Sequence, residues 1–169
     1  MQPGDTVLIQ GAGGGVASAA IVLARQAGLR VWVTSRDAAK GERAVELGAH
    51  EAFESGAKLP ERVDAVLETV GEATWKHSLR ALRPGGTLVV SGATSGSAPS
   101  ADLARVFFLQ LSVVGSTMGT RDELERLARL CVTSGVRPQI DRVLPLSEAR
   151  EGFAAMDSGD LFGKIVFTP

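Results

Sequence analysis

The residues best suited to chemistry lie near the start of the chain. Gly11-Ala12-Gly13-Gly14-Gly15 follows directly on the apolar run Thr6 to Gln10 (TVLIQ) and precedes Val16 to Ala27, a stretch of small and apolar residues without a breaker. Strand, glycines, helix: that order has a physical use. A helix N-terminus offers unpaired backbone N–H groups and a partial positive charge, both suited to a phosphate. Glycines let the chain bend sharply and let a pyrophosphate approach without meeting a β-carbon. Counted from Gly11, the third glycine of a GxGxxG pattern falls on Val16. The better register is Ala12-x-Gly14-Gly15-x-Ala17, with alanines at both outer places. The bland alternative is a tight turn that only packs helix on sheet; the placement after a strand and before a helix favours dinucleotide binding.

The second strand bears on which dinucleotide. NAD-binding folds place Asp or Glu about 20 residues beyond the turn, where it accepts hydrogen bonds from the ribose 2′-OH. Here that stretch reads Thr34-Ser35-Arg36, with Asp37 already opening the next helix and Lys40 one turn further on. Without a carboxylate, nothing repels a 2′-phosphate, and Arg36 and Lys40 offer charge-assisted bonds to it. Lys40 taken singly is equally an ordinary surface cation. The combination predicts NADPH in preference to NADH.

The elements that must hold these residues alternate in the βαβ rhythm of a parallel sheet. Strands are predicted at Thr6 to Gln10, Val31 to Ser35, Glu51 to Phe53, Asp64 to Thr69, Thr87 to Ser91, Leu111 to Ser116 and Lys164 to Phe167. Helices are predicted at Val16 to Ala27, Asp37 to Leu47, Glu72 to Leu82 (with Trp75, Leu79 and Leu82 on one face) and near Asp102 to Gln110. Two more follow: one opened by the capping-box pair Thr120 and Glu123 and running to about Thr133, and one capped by Ser147 and ending near Asp157. The fold class is α/β, a Rossmann-type doubly wound parallel sheet. No linker or repeat divides residues 1–169, so one domain is expected.

Composition narrows the function classes. With one cysteine, Cys131, and two histidines, His50 and His77, no structural zinc site is expected, and a reducing, cytoplasmic setting is. Cys131 sits in an amphipathic stretch and reads as a core residue, not a ligand. Net charge is -1, with arginines interleaved among acids as in Arg121, Asp122, Glu123, Glu125 and Arg126, a solvated helix face and not a nucleic-acid stripe. No apolar run approaches the roughly 20 residues that cross a bilayer, and the opening MQPGD does not read as a signal peptide. The chain has 0 tyrosines, which excludes a tyrosine general acid within it.

Several strings together carry a resemblance: PGDTVLIQGAGGGVASAAIVLA, ELGA at 46–49, VDAVLETVG, LRPGGTLVVSGATSG, VGSTMGT, IDRVLPLSEA and the closing GKIV. In that order, from about Pro3 to Val166, they resemble the cofactor-binding domain of the medium-chain dehydrogenase/reductase family. That family includes zinc-type alcohol dehydrogenases and quinone oxidoreductases, and the alanine-first turn looks most like the latter. Ala17 departs from the family's usual glycine and adds one methyl at the helix–strand contact.

The resemblance implies that Gly14, Gly15 and Val16 lie against the pyrophosphate. It puts Ser35, Arg36 and Lys40 at the adenosine ribose and 2′-phosphate, with Ser35 where NAD-preferring relatives carry an aspartate. Thr69 and Val70, with Gly92, Ala93 and Thr94, would line the adenine and nicotinamide-ribose path, and Met118 would approach the nicotinamide. Lys164 is either a cofactor contact or a solvated residue opening a strand. The family's N-terminal catalytic domain has no counterpart here, so the chain alone is expected to hold the cofactor without turning over substrate. The resemblance further implies a homodimer through the apolar strand at 111–115, which lacks edge-protecting charges.

Two other readings stay open at this point. An S-adenosylmethionine-dependent methyltransferase shares the glycine-rich loop and strings like LRPGGTLVVSG, although such folds want an acid ending strand two. A non-catalytic nucleotide sensor would share the whole domain.

Overall fold

A computed structural model describes residues 1–169. Six strands form one parallel sheet: β1 (Thr6–Gln10), β2 (Arg30–Ser35), β3 (Glu51–Glu54), β4 (Val63–Glu68), β5 (Leu82–Val90) and β6 (Ser112–Gly115). Their spatial order is β3-β2-β1-β4-β5-β6. The chain builds outward from β1 to β3, then returns to lay β4 on the other side of β1. That reversal opens a crevice above the C-terminal ends of β1 and β4, where open α/β sheets bind ligands.

Both faces of the central strands are apolar because both are covered. Val7, Ile9, Val31 and Val33 point to one side, under α1 (Gly15–Gln26) and α2 (Ala38–Leu47), where Ala17, Ile21 and Ala44 complete the core. Leu8, Trp32, Val66 and Leu88 point to the other, where Leu79 of α3 (Glu72–Ala81) meets them, with Val106 of α4 (Leu103–Phe108) packed alongside. Alternate residues of one strand thus serve two cores, as the period-two geometry of a strand dictates.

The remaining elements depart from a plain doubly wound sheet. α5 (Arg121–Ser134) opens on the expected capping box: Thr120 accepts from the Glu123 amide while the Glu123 carboxylate accepts from the Thr120 amide. Its residues are nevertheless exposed except Cys131 and Ser134, so Cys131 is half-buried on an uncovered helix and not in the core. The closing strand, β8 (Lys164–Thr168), does not join the main sheet. It pairs in parallel with β7 (Ile140–Pro145), connected to it through a 3-10 turn at Leu146–Glu148 and α6 (Ala149–Ser158). Ser147 falls inside that turn; α6 starts after Glu148 without any side-chain cap.

Leu82 also leaves the helix face expected of it. It begins β5, fully buried, pairing with Val63, while the next register pair is Ala65 with Thr87, so Arg83-Pro84-Gly85-Gly86 is looped out of the ladder.

Candidate functional site

The glycine turn stands at the switch point. Gly11 adopts φ 77°, and the N–H groups of Gly11 and Ala12 both donate to the Thr34 carbonyl, at 3.2 and 3.0 Å. The chain therefore bends off β1 while still tied to β2. Ala12 and Ala17, the outer residues of the motif, are buried in the core beneath the helix. Gly14 is the exposed N-cap of α1, and its carbonyl accepts from Ser18 N–H at 2.9 Å. The amides of the first turn have no partner within the helix, and no acidic side chain occupies that turn. This end of the helix thus keeps its full positive character.

Two cations add to it. The Lys40 stem lies over Gly13, where a β-carbon would come within 2.9 Å of Lys40 Cδ. The Lys164 stem lies over Gly15 more closely still, with a β-carbon there 2.4 Å from Lys164 Cδ. Lys40 Nζ donates to the Gly159 carbonyl, and Gly163 N–H donates to the Gly13 carbonyl at 3.0 Å. The turn is therefore clasped by the β7–β8 unit, and the lysine stems occupy the space left by the missing side chains of Gly13 and Gly15.

At the far end of the crevice, Ser35 closes β2 and its hydroxyl accepts from Asp37 N–H at 3.1 Å. Asp37 in turn caps α2 by accepting from Ala39 and Lys40 N–H. Arg36 is exposed and enters no ion pair within the chain. The carboxylate nearest in sequence is thus committed to capping, which leaves Arg36 available to an anion.

The structure brings Thr69, Val70 and the Gly92–Thr94 loop together beside the turn. Thr69 Oγ1 donates to the Gln10 carbonyl at 3.1 Å, and Val70 Cγ2 is where a β-carbon on Gly11 would arrive, at 3.0 Å. A β-carbon on Gly92 would lie 2.8 Å from the Thr69 carbonyl, so the loops after β4 and β5 touch backbone to backbone. Val16 is 53% exposed, presented outward from the first turn of α1. Met118 is not gathered with these residues: it has φ 55° and is 96% exposed beyond β6.

Beneath the turn lies a buried polar shelf. Thr34 Oγ1 donates to Gln10 Oε1; Gln10 Nε2 donates to Ser78 Oγ and to His77 Nδ1, both at 2.9 Å. The second His77 nitrogen faces the Ala57 carbonyl at 2.9 Å, and a carbonyl can only accept, so the ring proton sits on Nε2. Ser78 Oγ donates onward to Glu68 at 2.5 Å. Glu68 is fully buried and also accepts from Val70 N–H at 2.8 Å, Gly71 N–H at 3.0 Å and Thr74 Oγ1. These bonds shape the loop carrying Thr69 and Val70. Sequence reasoning passed over the shelf, although a signal exists: an acid ending an apolar strand, with Thr74 and Ser78 one helical turn apart.

One more carboxylate matters here. Asp141 of β7 has a side chain only 8% exposed. Burial pushes its carboxyl up, but the Phe162 N–H and the Arg142 guanidinium together outweigh that and hold it below the usual carboxylate range. No group of three or more His, Cys, Asp or Glu side chains is arranged to hold a metal ion.

A parallel sheet of this order, with a glycine turn feeding a helix at its switch point, defines a nucleotide-binding α/β architecture. Residues 15–133 match the family described as zinc-binding dehydrogenase, and the chain belongs to that family, as the ordered strings from Pro3 to Val166 implied. It is 31% identical to a probable quinone oxidoreductase of Schizosaccharomyces pombe, over 98% of this chain and 55% of the relative. It superposes on an NAD-dependent alcohol dehydrogenase with 33% identity and a TM-score of 0.90, covering 99% of this chain and 52% of that one. It also superposes on the 2-octenoyl-CoA carboxylase reductase CinF, solved with NADP and 2-octenoyl-CoA, with 28% identity and a TM-score of 0.92 over 99% of this chain and 44% of that one. The chain spans about half the length of the curated relatives it matches. The family match removes the methyltransferase reading.

Proposed function

We propose that this chain is the coenzyme-binding domain of an NADP(H)-dependent oxidoreductase acting on a carbonyl, quinone or enone. The observation that carries the reading is the N-terminus of α1 at the switch point. It has free amides, no acid in its first turn, and glycines flanked by Lys40 and Lys164. In this reading the pyrophosphate lies on Gly14, Gly15 and Val16. The adenosine ribose meets Ser35 and Arg36, with Lys40 at the 2′-phosphate, and Thr69, Val70, Gly92, Ala93 and Thr94 border the path toward the nicotinamide. Met118 belongs to that far end.

The similar structures include one named NAD-dependent and one solved with NADP, so the preference for NADP rests on this chain's own residues. β2 ends at Ser35 and is followed by Arg36, with no free carboxylate there, which suits a phosphate monoester better than a diol. When bound, the nicotinamide supplies the hydride. What this chain supplies is the cradle that orients it. Burying the ring against a positioned substrate needs surfaces beyond these residues, so the domain by itself is inactive. Two copies pair through the open edge of β6, and the unpaired Cys131 fits a reducing cytoplasm.

Titration of the chain with NADPH, NADH and S-adenosylmethionine tests the reading. NADPH is expected to bind about tenfold tighter than NADH, about 1.4 kcal/mol, and Arg36→Ala to abolish most of that gap. Equal affinity for the two coenzymes would remove the NADP preference, and binding of neither would remove the function.

A further inference from the structure

The β7–α6–β8 unit gives no strand to the main sheet, yet it contributes Phe162, 1% exposed, to the core under α1 and α2. What seats that residue is Asp141. One carboxylate oxygen accepts the Phe162 N–H at 2.9 Å, and the other accepts from Arg142 Nε at 2.8 Å. Arg43 of α2 approaches the same carboxylate at 3.6 Å and lies over the Phe162 ring, 4.7 Å from its centroid. The carboxylate is thus the meeting point of β7, the segment entering β8, and α2.

The next two residues run straight to the glycine turn. Gly163 adopts φ 105°, where a β-carbon would come within 2.4 Å of the Gln139 carbonyl. Its N–H donates to the Gly13 carbonyl, and Lys164 N–H donates to the Gln139 carbonyl at 3.1 Å while its stem crosses Gly15. Every peptide bond in the chain is trans, so a carbonyl and the following N–H point in opposite directions. Holding the Gly13 carbonyl toward Gly163 therefore sets the direction of the Gly14 N–H. One buried acid thereby fixes three consecutive residues: an anchor, a backbone strut and a cation.

We propose that Asp141 is a positioning residue for the coenzyme's diphosphate, acting through Phe162, Gly163 and Lys164 on the turn at Gly13–Gly15. The proposal rests on the coenzyme-binding reading above and adds to it a residue that touches no coenzyme atom. Removing the carboxylate strands the Phe162 amide and leaves Arg43 and Arg142 facing each other, so the strut loosens even though the turn's own residues are intact.

The test uses the whole 169-residue chain. Asp141→Ala and Lys164→Ala are each expected to weaken NADPH binding by about fivefold or more, and the double variant to be no more than about twofold weaker than the worse single one. Independent, multiplying losses would overturn the proposal, as would unchanged affinity in a folded Asp141→Ala chain. Asp141→Asn, which keeps an oxygen for the Phe162 amide but loses the charge, guards against misfolding. Relative to it, Asp141→Ala is expected to accelerate hydrogen exchange at Gly163 N–H about tenfold, and equal exchange in the two variants would overturn the proposal. Should the unaltered chain bind no dinucleotide, the functional reading falls, while the Gly163 exchange rate still decides whether Asp141 holds the strut.

Discussion

β1 and β6 are both short apolar strands of one parallel sheet, TVLIQ and SVVG, and their surroundings are opposite. All of β1 is buried, between β2 and β4 and beneath helices on both faces, whereas all of β6 is exposed. The helices that follow them differ in the same way. α1 puts Ala17, Ser18 and Ile21 into the core, while α5 leaves Leu124 66% exposed and Leu127 and Leu130 more than a third exposed. Apolarity alone does not bury a strand; its place in the order does. The glycine turn is built on the half whose geometry is over-determined by packing. The other half leaves apolar residues exposed on both its strand and its helix, Val113 and Val114 with Leu124, Leu127 and Leu130.

The largest effect that would break this contrast comes from the core. Leu8→Ala, at a fully buried site in β1, is expected to cost about 3 kcal/mol in urea denaturation, while Leu124→Ala on α5 stays within about 0.5 kcal/mol. Equal losses would show that α5 is packed in solution and that the two halves are alike. Next in size is the shelf beneath the turn. Glu68→Leu keeps the volume but leaves the Val70 and Gly71 amides buried without an acceptor, at a cost of about 2 kcal/mol by the same measurement.

The contrast also marks what was legible in the sequence. The Gly11–Gly15 turn, β2 ending at Ser35, and the Thr120–Glu123 box are local patterns within a few residues, and each forms as its spacing dictates. What stayed hidden is held by distant partners. Gln10 meets Ser78 across 68 residues, Lys40 meets Gly159 across 119, and β8 finds β7 in place of the main sheet. β7 itself reads poorly as a strand because Asp141 and Arg142 sit side by side where alternation would put one apolar residue. Asp141 points to Phe162, so its charge serves a backbone amide and not the solvent. Cys131 departs from its expected place for the converse reason: α5 has a clear apolar stripe, but Leu124, Leu127 and Leu130 along it stay exposed.

Acid should expose the same asymmetry with a smaller loss. Burial raises the Asp64 carboxyl, but the Thr6 N–H at 2.7 Å and the Arg83 guanidinium lower it further, leaving it below its ordinary value. Asp141 is shifted the same way. A carboxylate depressed on folding contributes stability that is present above the unfolded pKa and lost as pH falls through the folded one. His50 is shifted down as well, by burial and by Arg25 beside it, so the unfolded chain takes up that proton before the folded one does. Thermal stability is therefore expected to fall slightly below about pH 6.5 and more steeply below about pH 4. Asp64→Asn should lower the plateau and flatten the decline, because its contribution is then absent at every pH. Absence of the steeper loss below about pH 4 would remove the two acids from this account.

The smallest expected effect on stability is at β6. Val114 is 47% exposed on a strand whose outer edge has no neighbour in the chain, so Val114→Lys removes little packing and should leave the denaturation midpoint within about 0.5 kcal/mol of the unaltered chain. Its effect belongs on association instead. A lysine is a common guard on exposed strand edges because pairing two copies edge to edge would bring like charges together and desolvate them. If the pairing proposed for β6 exists, sedimentation at high micromolar concentration should show a dimer for the unaltered chain and a monomer for the variant, at equal stability. A dimer that survives Val114→Lys would move the interface off this strand, with α5 then the apolar face left to carry it, and Leu124→Lys would be the substitution that dissociates it.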